Sequence, residues 1–264
     1  MNNQSISSLP KITLVTPSFN QGHFLEETIV SVLNQGYPNL EYIIMDGGST
    51  DNSVDIIKKY EKNLHFWTSE PDRGQSHAIN RGLMRGSGEL ANWLNSDDML
   101  KPGALQAVAD AWQQYGPLII AGHYEAFMHG QPDTMHEYAC IGVSFKQMLR
   151  FWEEDLNQWC QPAMFFPLPL FKELGGCDES LHYTMDHDLW IRMLQRIDAI
   201  CIEPVLAKAR YHTAAKTSMH DYKVLRHKRL VAERYWDQYP GGWNMAEFRR
   251  AYINACGERF SQYR

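Results

Sequence analysis

The sequence is poor in cysteine, and the cysteines it has form no pattern. Cys140, Cys160, Cys177, Cys201 and Cys256 are odd in number and widely spaced, and no Cys-x-x-Cys occurs. That excludes a zinc ribbon and a thioredoxin-type motif, and buried free thiols in a reducing compartment become the expectation. No apolar run is long enough to span a bilayer, and no basic, apolar leader stands at the start. The expectation is therefore a cytoplasmic protein, with peripheral contact at the inner face of the cell membrane left open. Positive charge is in deficit: 25 Lys and Arg face 31 Asp and Glu, a formal net charge of -6. A general nucleic-acid binder would carry the opposite balance, so no nucleic-acid partner is expected. The dinucleotide fingerprint Gly-x-Gly-x-x-Gly is missing after the first strand signal, as is the Walker Lys-Ser/Thr pattern. There is no internal repeat, and no low-complexity segment beyond the polar start, Met1 to Ser8.

What is present is a full-sized core supply. Apolar residues make up 44% of 264 positions, enough for one large domain or a domain with an appendage. Lys11 to Thr16 is β-branched and apolar, and Pro17 is expected to stop it. Phe24 to Gln35 has a helical period ending at Gly36. Leu40 to Met45 reads as a strand, Ser53 to Lys62 as a helix, His65 to Thr68 as a strand, Gln75 to Arg85 as a helix and Leu90 to Leu94 as a strand. This β-α-β-α-β-α-β order predicts an α/β fold with a doubly wound, mostly parallel sheet and right-handed crossovers.

Such a sheet binds ligands at the carboxyl ends of its strands, so the turns carry the functional information. Three strand ends are polar: Thr16 to Asn20, Asp46 to Asp51 and Asn95 to Asp98. The last is the most pointed. The apolar run Leu90 to Leu94 breaks into Asn95-Ser96-Asp97-Asp98, and adjacent carboxylates repel unless a positive group lies beside them. A hard divalent cation, Mg²⁺ or Mn²⁺, takes oxygen ligands and shares them with phosphates. Taken alone, an Asp-Asp pair is more often a solvated turn, and Asp46 before two glycines more often a turn former.

Taken together and in order, Thr16-Pro17-Ser18-Phe19-Asn20, Asp46-Gly47-Gly48-Ser49-Thr50-Asp51 and Trp93-Leu94-Asn95-Ser96-Asp97-Asp98 resemble the motifs of family 2 glycosyltransferases. Glu70-Pro71-Asp72-Arg73-Gly74-Gln75-Ser76 and Asn80-Arg81-Gly82 resemble that family too. The match is strong over Ile12 to Ala109 and weaker to Ser218. The resemblance implies the GT-A fold, an inverting mechanism and a Mn²⁺ or Mg²⁺ cofactor. It also implies a nucleotide diphosphate sugar as donor, most often a UDP-sugar, and a glycan or lipid-linked acceptor of the bacterial surface-polysaccharide type. By the resemblance Thr16, Pro17, Phe19 and Asn20 line the nucleoside pocket, Asp46 reads the base edge, and Asp72 and Arg73 lie beside base and ribose. Asn95-Ser96-Asp97 resembles the family's Asp-x-Asp with Asn first, so metal binding falls to Asp97, with Asp98 beside it.

Beyond Gly103 the pattern is less regular. Helices are expected over Gly103 to Tyr115, Ser144 to Arg150 and Pro167 to Leu174, and strands over Leu118 to Phe127, Thr134 to Tyr138 and Ala207 to Tyr211. Trp152 to Gln161 mixes aromatics and amides, which suits a sugar, and the resemblance places Trp159 and Gln161 in an acceptor pocket. Asp186 and Asp188 open an amphipathic helix, where acids also serve as plain helix-terminal charges. In the family the first of these acids is the general base, so Asp186 takes that role and Asp188 supports the helix start and acceptor loop. His212 to Ser218 resembles the family's late His-containing loop, with His212 toward metal and Lys216 toward the diphosphate. Met219 to Tyr239 and Met245 to Phe260 read as helices, a basic face on the first. The expected organisation is one GT-A domain over 1–264: a nucleotide-sugar half at 11–100, an acceptor half at 101–218 and a helical extension at 219–264. Homo-oligomerisation is open. A non-catalytic nucleotide-sugar or glycan-binding module is the main alternative, because it could keep Asp46 and Asp97 without needing Asp186. A nucleotidyltransferase is a weaker one, because Ser18 to Gly22 is a poor phosphate loop.

Overall fold

The computed structural model describes residues 9–153, 158–213, 215–216, 222–239, 242 and 244–261. Asn157 and residues 217–221, which carry parts of two sequence expectations, lie outside that set.

Chain order begins β1 (Ile12–Ser18), α1 (Gly22–Leu33), β2 (Leu40–Asp46), α2 (Ser53–Tyr60), β3 (Phe66–Ser69), α3 (Gln75–Arg85) and β4 (Leu90–Trp93). It continues β5 (Met99–Leu100), α4 (Ala104–Tyr115), β6 (Ile119–Met128), β7 (Gln131–Tyr138), α5 (Phe145–Leu149), β8 (Met164–Pro167) and α6 (Leu168–Glu173). Then come α7 (Met185–Leu194), β9 (Ala199–Tyr211), α8 (Tyr222–Arg234) and α9 (Met245–Ser261). The strands join in the order β3-β2-β1-β4-β8-β6-β9-β5, with β7 pairing β6. β1, β2, β3 and β4 are mutually parallel, β8 runs against both β4 and β6, and β6 is parallel to β9. Six strands therefore share one direction, while β5, β7 and β8 oppose it. The sheet is mixed and mostly parallel, as the element order implies.

Alternation along β1 sets the two layers. Ile12 and Leu14 join α1, α2 and α4 residues on one face, and Val15 joins Ala78, Ile79 and Leu83 of α3 on the other. Gly82 lets α3 approach β1 closely, since a Cβ there would lie 2.6 Å from Val15 Cγ1. At the amino ends of these strands Glu41 is buried among Thr13 Oγ1 at 2.6 Å, the Ser87 N–H at 2.6 Å and Lys11 Nζ at 3.0 Å. Burial alone would raise its pKa. The hydrogen bonds from Thr13, Ser87 and Lys11 outweigh it and hold the carboxyl at about 2.

The structure corrects two local expectations and adds two short strands. Pro17 does not end β1, which runs on to Ser18. Leu94 N–H donates to Val15 C=O and Gly47 N–H to Ser18 C=O, so odd residues of β1 face β4 and even ones face β2. Pro17 thus lacks its N–H on the side where β4 has already ended, so no ladder bond is lost. Met164 to Pro167 is a strand, a four-residue run that passes directly into α6. β5 pairs only Met99 and Leu100 with β9, too short for a sequence signal. β9 begins at Ala199 rather than Ala207, because Glu203 and Pro204 interrupt its apolar pattern.

Candidate active site

Sheet order reverses between β1 and β4: β2 and β3 extend to one side of β1, and the chain then returns to the other. Ligands settle outside the carboxyl ends of strands at such a point. Here those ends are Ser18 to Asn20 after β1 and Asn95 to Asp98 after β4.

The β1 end is braced by hydrogen bonds from the turn after β2. Asn20 has a left-handed φ of 52°, and its Oδ1 accepts from Thr50 N–H at 2.8 Å. Asp51 holds Gly22 N–H at 2.9 Å and Ser53 N–H at 3.0 Å. Thr16 is buried, its hydroxyl 3.0 Å from Tyr42 Oη, whereas Phe19 is 60% exposed beside it. Asp46, expected to read a base edge, is 2% exposed and fully engaged by its own turn. Its oxygens take Ser49 N–H at 2.8 Å, Gly48 N–H at 3.2 Å, Ser49 Oγ at 2.6 Å and Ser69 Oγ at 2.6 Å. That carboxylate shapes the turn. Asp72 is the acid that faces outward here: its Oδ1 accepts Gly74 N–H at 2.7 Å, and Oδ2 lies 2.9 Å from where a Gly47 Cβ would stand. Arg73 is turned to Glu179, with Nε at 3.0 Å and Nη2 at 2.7 Å, which ties the loop after α6 to the loop before α3.

At the β4 end the two adjacent acids part company. Asp97, whose side chain is 20% exposed, brings Oδ2 to 3.0 Å from His212 Nε2. Asp98 is 7% exposed and points inward, accepting Arg210 N–H at 3.0 Å and Asn95 Nδ2 at 3.2 Å. Burial, and then the charge of Asp97, push its pKa up. Asp98, expected as a second metal ligand, is thereby committed to pinning β9. Arg210 completes the pin: Nε donates to Asp97 C=O at 2.9 Å, the guanidinium pairs with Glu27 and stacks over Phe24 at 4.5 Å. Ser96 is buried, with its carbonyl accepting Thr28 Oγ1 at 2.9 Å.

Asn95 is a hydrogen-bonding junction. Gln75 Nε2 donates to its Oδ1 at 2.8 Å, and Lys216 Nζ reaches Gln75 Oε1 at 3.1 Å. Its Nδ2 also faces Gln161 Oε1 at 3.4 Å, while Gln161 Nε2 donates to Trp93 C=O at 2.7 Å and Asn92 Oδ1 at 3.0 Å. One polar chain thus links Lys216, Gln75, Asn95 and Gln161. Gln75 was not singled out in the sequence; its signal was its place at the start of α3.

Asp186 stands in the first turn of α7. The helix is fixed from behind, where Trp190 stacks on Trp93 at 5.6 Å and 7°. Oδ1 of Asp186 accepts His187 N–H at 2.7 Å. Burial pushes the Asp186 carboxyl above the usual range, partly offset by the nearby Lys228 charge and that N–H. Lys216, whose own pKa burial lowers, feels Asp186 in return. Trp159 lies on this side, stacked on His187 at 6.1 Å with Lys228 Nζ 5.0 Å from its ring centroid. The His187 ring is fully buried with neither nitrogen hydrogen-bonded among the described residues, and burial holds it neutral. Asp188 turns away: it accepts Arg192 Nε at 2.8 Å and Tyr235 Oη at 2.7 Å, joining α7 to α8 instead of facing an acceptor.

Carboxylate and imidazole at 3.0 Å form a donor pair that suits Mn²⁺ or Mg²⁺ sharing phosphate and water oxygens. Among the described residues no group of three or more His, Cys, Asp or Glu converges, so a metal here would draw remaining ligands from a bound ligand and solvent. Among the same residues no helix is long and apolar enough to cross a membrane.

Residues 13–171 match the family described as Glycosyl transferase family 2. An uncharacterized glycosyltransferase of Mycobacterium tuberculosis is 35% identical over 205 residues, covering 77% of this chain and 76% of that one. The putative teichuronic acid biosynthesis glycosyltransferase TuaG of Bacillus subtilis is 38% identical over 100 residues, 37% of this chain and 40% of its own. The chain spans only 36% of the length of two other curated relatives. Among solved structures, Staphylococcus aureus TarS with UDP-GlcNAc superposes with a TM-score of 0.68 at 16% identity, over 95% of this chain and 73% of that one. The mannosyltransferase PcManGT of Pyrobaculum calidifontis with GDP-Man and Mn²⁺ gives 0.58 at 15% identity, over 98% and 82%. The structural likenesses speak for the GT-A fold, and with the sequence match over more than half its length, this chain belongs to glycosyl transferase family 2.

Proposed function

We propose that the protein transfers a sugar from a nucleotide diphosphate donor, a UDP-sugar, to a hydroxyl of a surface-glycan or lipid-linked acceptor, with inversion at the anomeric carbon. The observation that carries this reading is the placement of Asp186. Asp186 stands in the first turn of α7 within reach of the Lys216 charge, and Lys216 joins through Gln75 to Asn95, two residues before the Asp97 that meets His212.

Residues 11–100 hold the donor. Phe19 offers a face for the base, Asp72 reads its edge, and Asp46 acts indirectly by shaping the turn that brings Gly47 against Asp72. Thr16, Pro17, Asn20, Asn95 and Ser96 form the walls, and Arg73 keeps the acceptor-side loop closed through Glu179. Asp97 and His212 hold the divalent metal, Mn²⁺ or Mg²⁺, which when bound offsets the charge that develops on the leaving diphosphate. Lys216, carried by Gln75, adds a second positive charge there.

Residues 101–218 present the acceptor, with Trp159 as an aromatic face beside Asp186. The attacking hydroxyl must lose its proton as it bonds to the anomeric carbon, and Asp186 Oδ2 takes it while His187 N–H steadies Oδ1. A raised pKa makes the carboxylate a stronger base, and the Lys228 charge offsets part of that rise. Supporting the donor choice, TarS binds UDP-GlcNAc; supporting the metal, PcManGT binds Mn²⁺ with GDP-Man. The test is a panel of UDP-, GDP-, CDP- and TDP-sugars with Mn²⁺ or Mg²⁺, scored for released diphosphate. Turnover with UDP-sugars and an anomerically inverted product by NMR are expected. Retained configuration, or preference for another base, refutes the corresponding part.

A further inference from the structure

The four described cysteines stay unbonded, but two of them meet. Cys140 follows β7, and Cys201 lies near the start of β9. Their sulfurs are 2.9 Å apart although the residues are 61 positions apart in sequence. Cys140 is buried and Cys201 exposed, so Cys201 is the outer member of the pair. We propose that Cys140 and Cys201 form a reversible disulfide that staples the segment bearing Trp159 to the central sheet.

The site has the parts such a reaction needs. The Cys140 thiol hydrogen-bonds Cys201 and favours the thiolate there, aided by the Val143 N–H, while Cys140 itself is held protonated by that bond and by burial. A hydroperoxide is the oxidant. The Cys201 thiolate attacks its terminal oxygen, breaking the O–O bond and giving Cys201 sulfenic acid and, after protonation, an alcohol or water. Cys140 sulfur then displaces the hydroxyl, which leaves as water with the thiol proton. Two electrons pass from the sulfurs to the peroxide, and two thiols become one disulfide. Closing from 2.9 Å to a bond of about 2.05 Å asks only a small side-chain movement.

The staple would act on what lies next to it. Ile141 follows Cys140 and pairs with Gln158 through two backbone hydrogen bonds, 2.8 and 3.0 Å. Gln158 directly precedes Trp159. Cys140 thus sits beside the bridge that holds residues 141–153 at their start, and a covalent link to β9 would restrain local unfolding there.

The test uses the full chain treated with hydrogen peroxide or with a thiol reductant. Expected after oxidation are the loss of two alkylatable thiols, a linked peptide joining Cys140 to Cys201, and several-fold slower hydrogen exchange over residues 141–153. A thiol reductant should reverse all three, and Cys201→Ser should show none while keeping the wild-type exchange pattern before treatment. If Cys140 and Cys201 remain alkylatable while other thiols oxidise, or if Cys201 advances to sulfinic acid without a linked peptide, the pairing is wrong. A linked peptide with unchanged exchange overturns the staple. This outcome does not depend on which donor or acceptor the protein uses.

Discussion

Replacing Asp98 with alanine is expected to cost stability rather than metal affinity, while Asp97→Asn should do the reverse. Asp98 accepts the buried Arg210 N–H at 3.0 Å. Leaving a buried N–H unpaired costs about 1–3 kcal/mol. Asn95 Nδ2 loses its 3.2 Å partner but keeps Gln161 Oε1 at 3.4 Å, so its share is small. For a chain of this size each kcal/mol moves Tm by about 2–4 °C, so Asp98→Ala should melt roughly 2–12 °C lower. Asp97 is partly exposed and Asn preserves its shape, so its baseline change should stay within about 0.5 kcal/mol. The assay is thermal unfolding with and without UDP, and with and without Mn²⁺. A ligand that binds only the folded state raises Tm in proportion to RT ln(1 + [L]/Kd). Asp98→Ala should keep the extra rise that Mn²⁺ gives to UDP; Asp97→Asn should lose most of it. Equal baseline losses for the two variants, or loss of the Mn²⁺ increment in a folded Asp98→Ala alone, would refute the division of labour.

Four further outcomes follow from the structure. Asp186→Asn should lower kcat by about 10²–10⁴ while UDP still raises Tm, and a wild-type rate would exclude this residue as base. Because burial raises the Asp186 pKa, the wild-type rate should fall as pH drops through a value above the ordinary carboxylate range, and Lys228→Met should move that limb to higher pH; a limb below pH 4 in both would contradict the reading. Asp72→Asn should weaken UDP binding with little change in baseline Tm, whereas Asp46→Asn should lower baseline Tm; calorimetric titration with UDP beside a melt distinguishes them. Glu41, held at about 2 against about 4.3 in an unfolded chain, contributes stability that is full above pH 4.3 and lost as pH falls toward 2. Lys11 is one-third exposed, so solvent screens part of that gain, on the order of 2 kcal/mol. Glu41→Gln should flatten the pH dependence of denaturant midpoints in that window, and an unchanged slope would count against it.

The first four strands and three helices were legible because apolar runs and helical stripes take turns there, each bounded by Pro, Gly, Asn or Asp. α3 fell on its expected bounds, Gln75 to Arg85, since Gly74 and Gly86 bracket one apolar stripe. β8 was not legible, because its four residues run straight into α6 with no turn between them. The polar strand ends were visible, and so was their order, but not the direction in which each side chain points. Asp97 and Asp98 are adjacent and chemically alike. Only the arrival of β9, more than a hundred residues later, turns one inward and leaves the other out. Asp46 shows the same limit, because the four hydrogen bonds that occupy it come from three residues, one of them on β3. The contact of Cys140 with Cys201 was likewise invisible in their spacing.

β9 also has a bearing on how the chain comes into being. It pairs with β6 along that strand's whole length, from Ile119 to Met128, yet it is made last of all the strands. During synthesis, β6 would meet β8 and β7 on one side and show an unpaired edge on the other until residue 199 and beyond had emerged. Such an edge is where chains mispair with their neighbours. Closure is non-local and therefore slow, so the interval of exposure is set by elongation and by chain diffusion. A chain cut short before residue 199 would keep Asp186 and both acids after β4 and still carry that open edge, making it a candidate for aggregation rather than a smaller working enzyme.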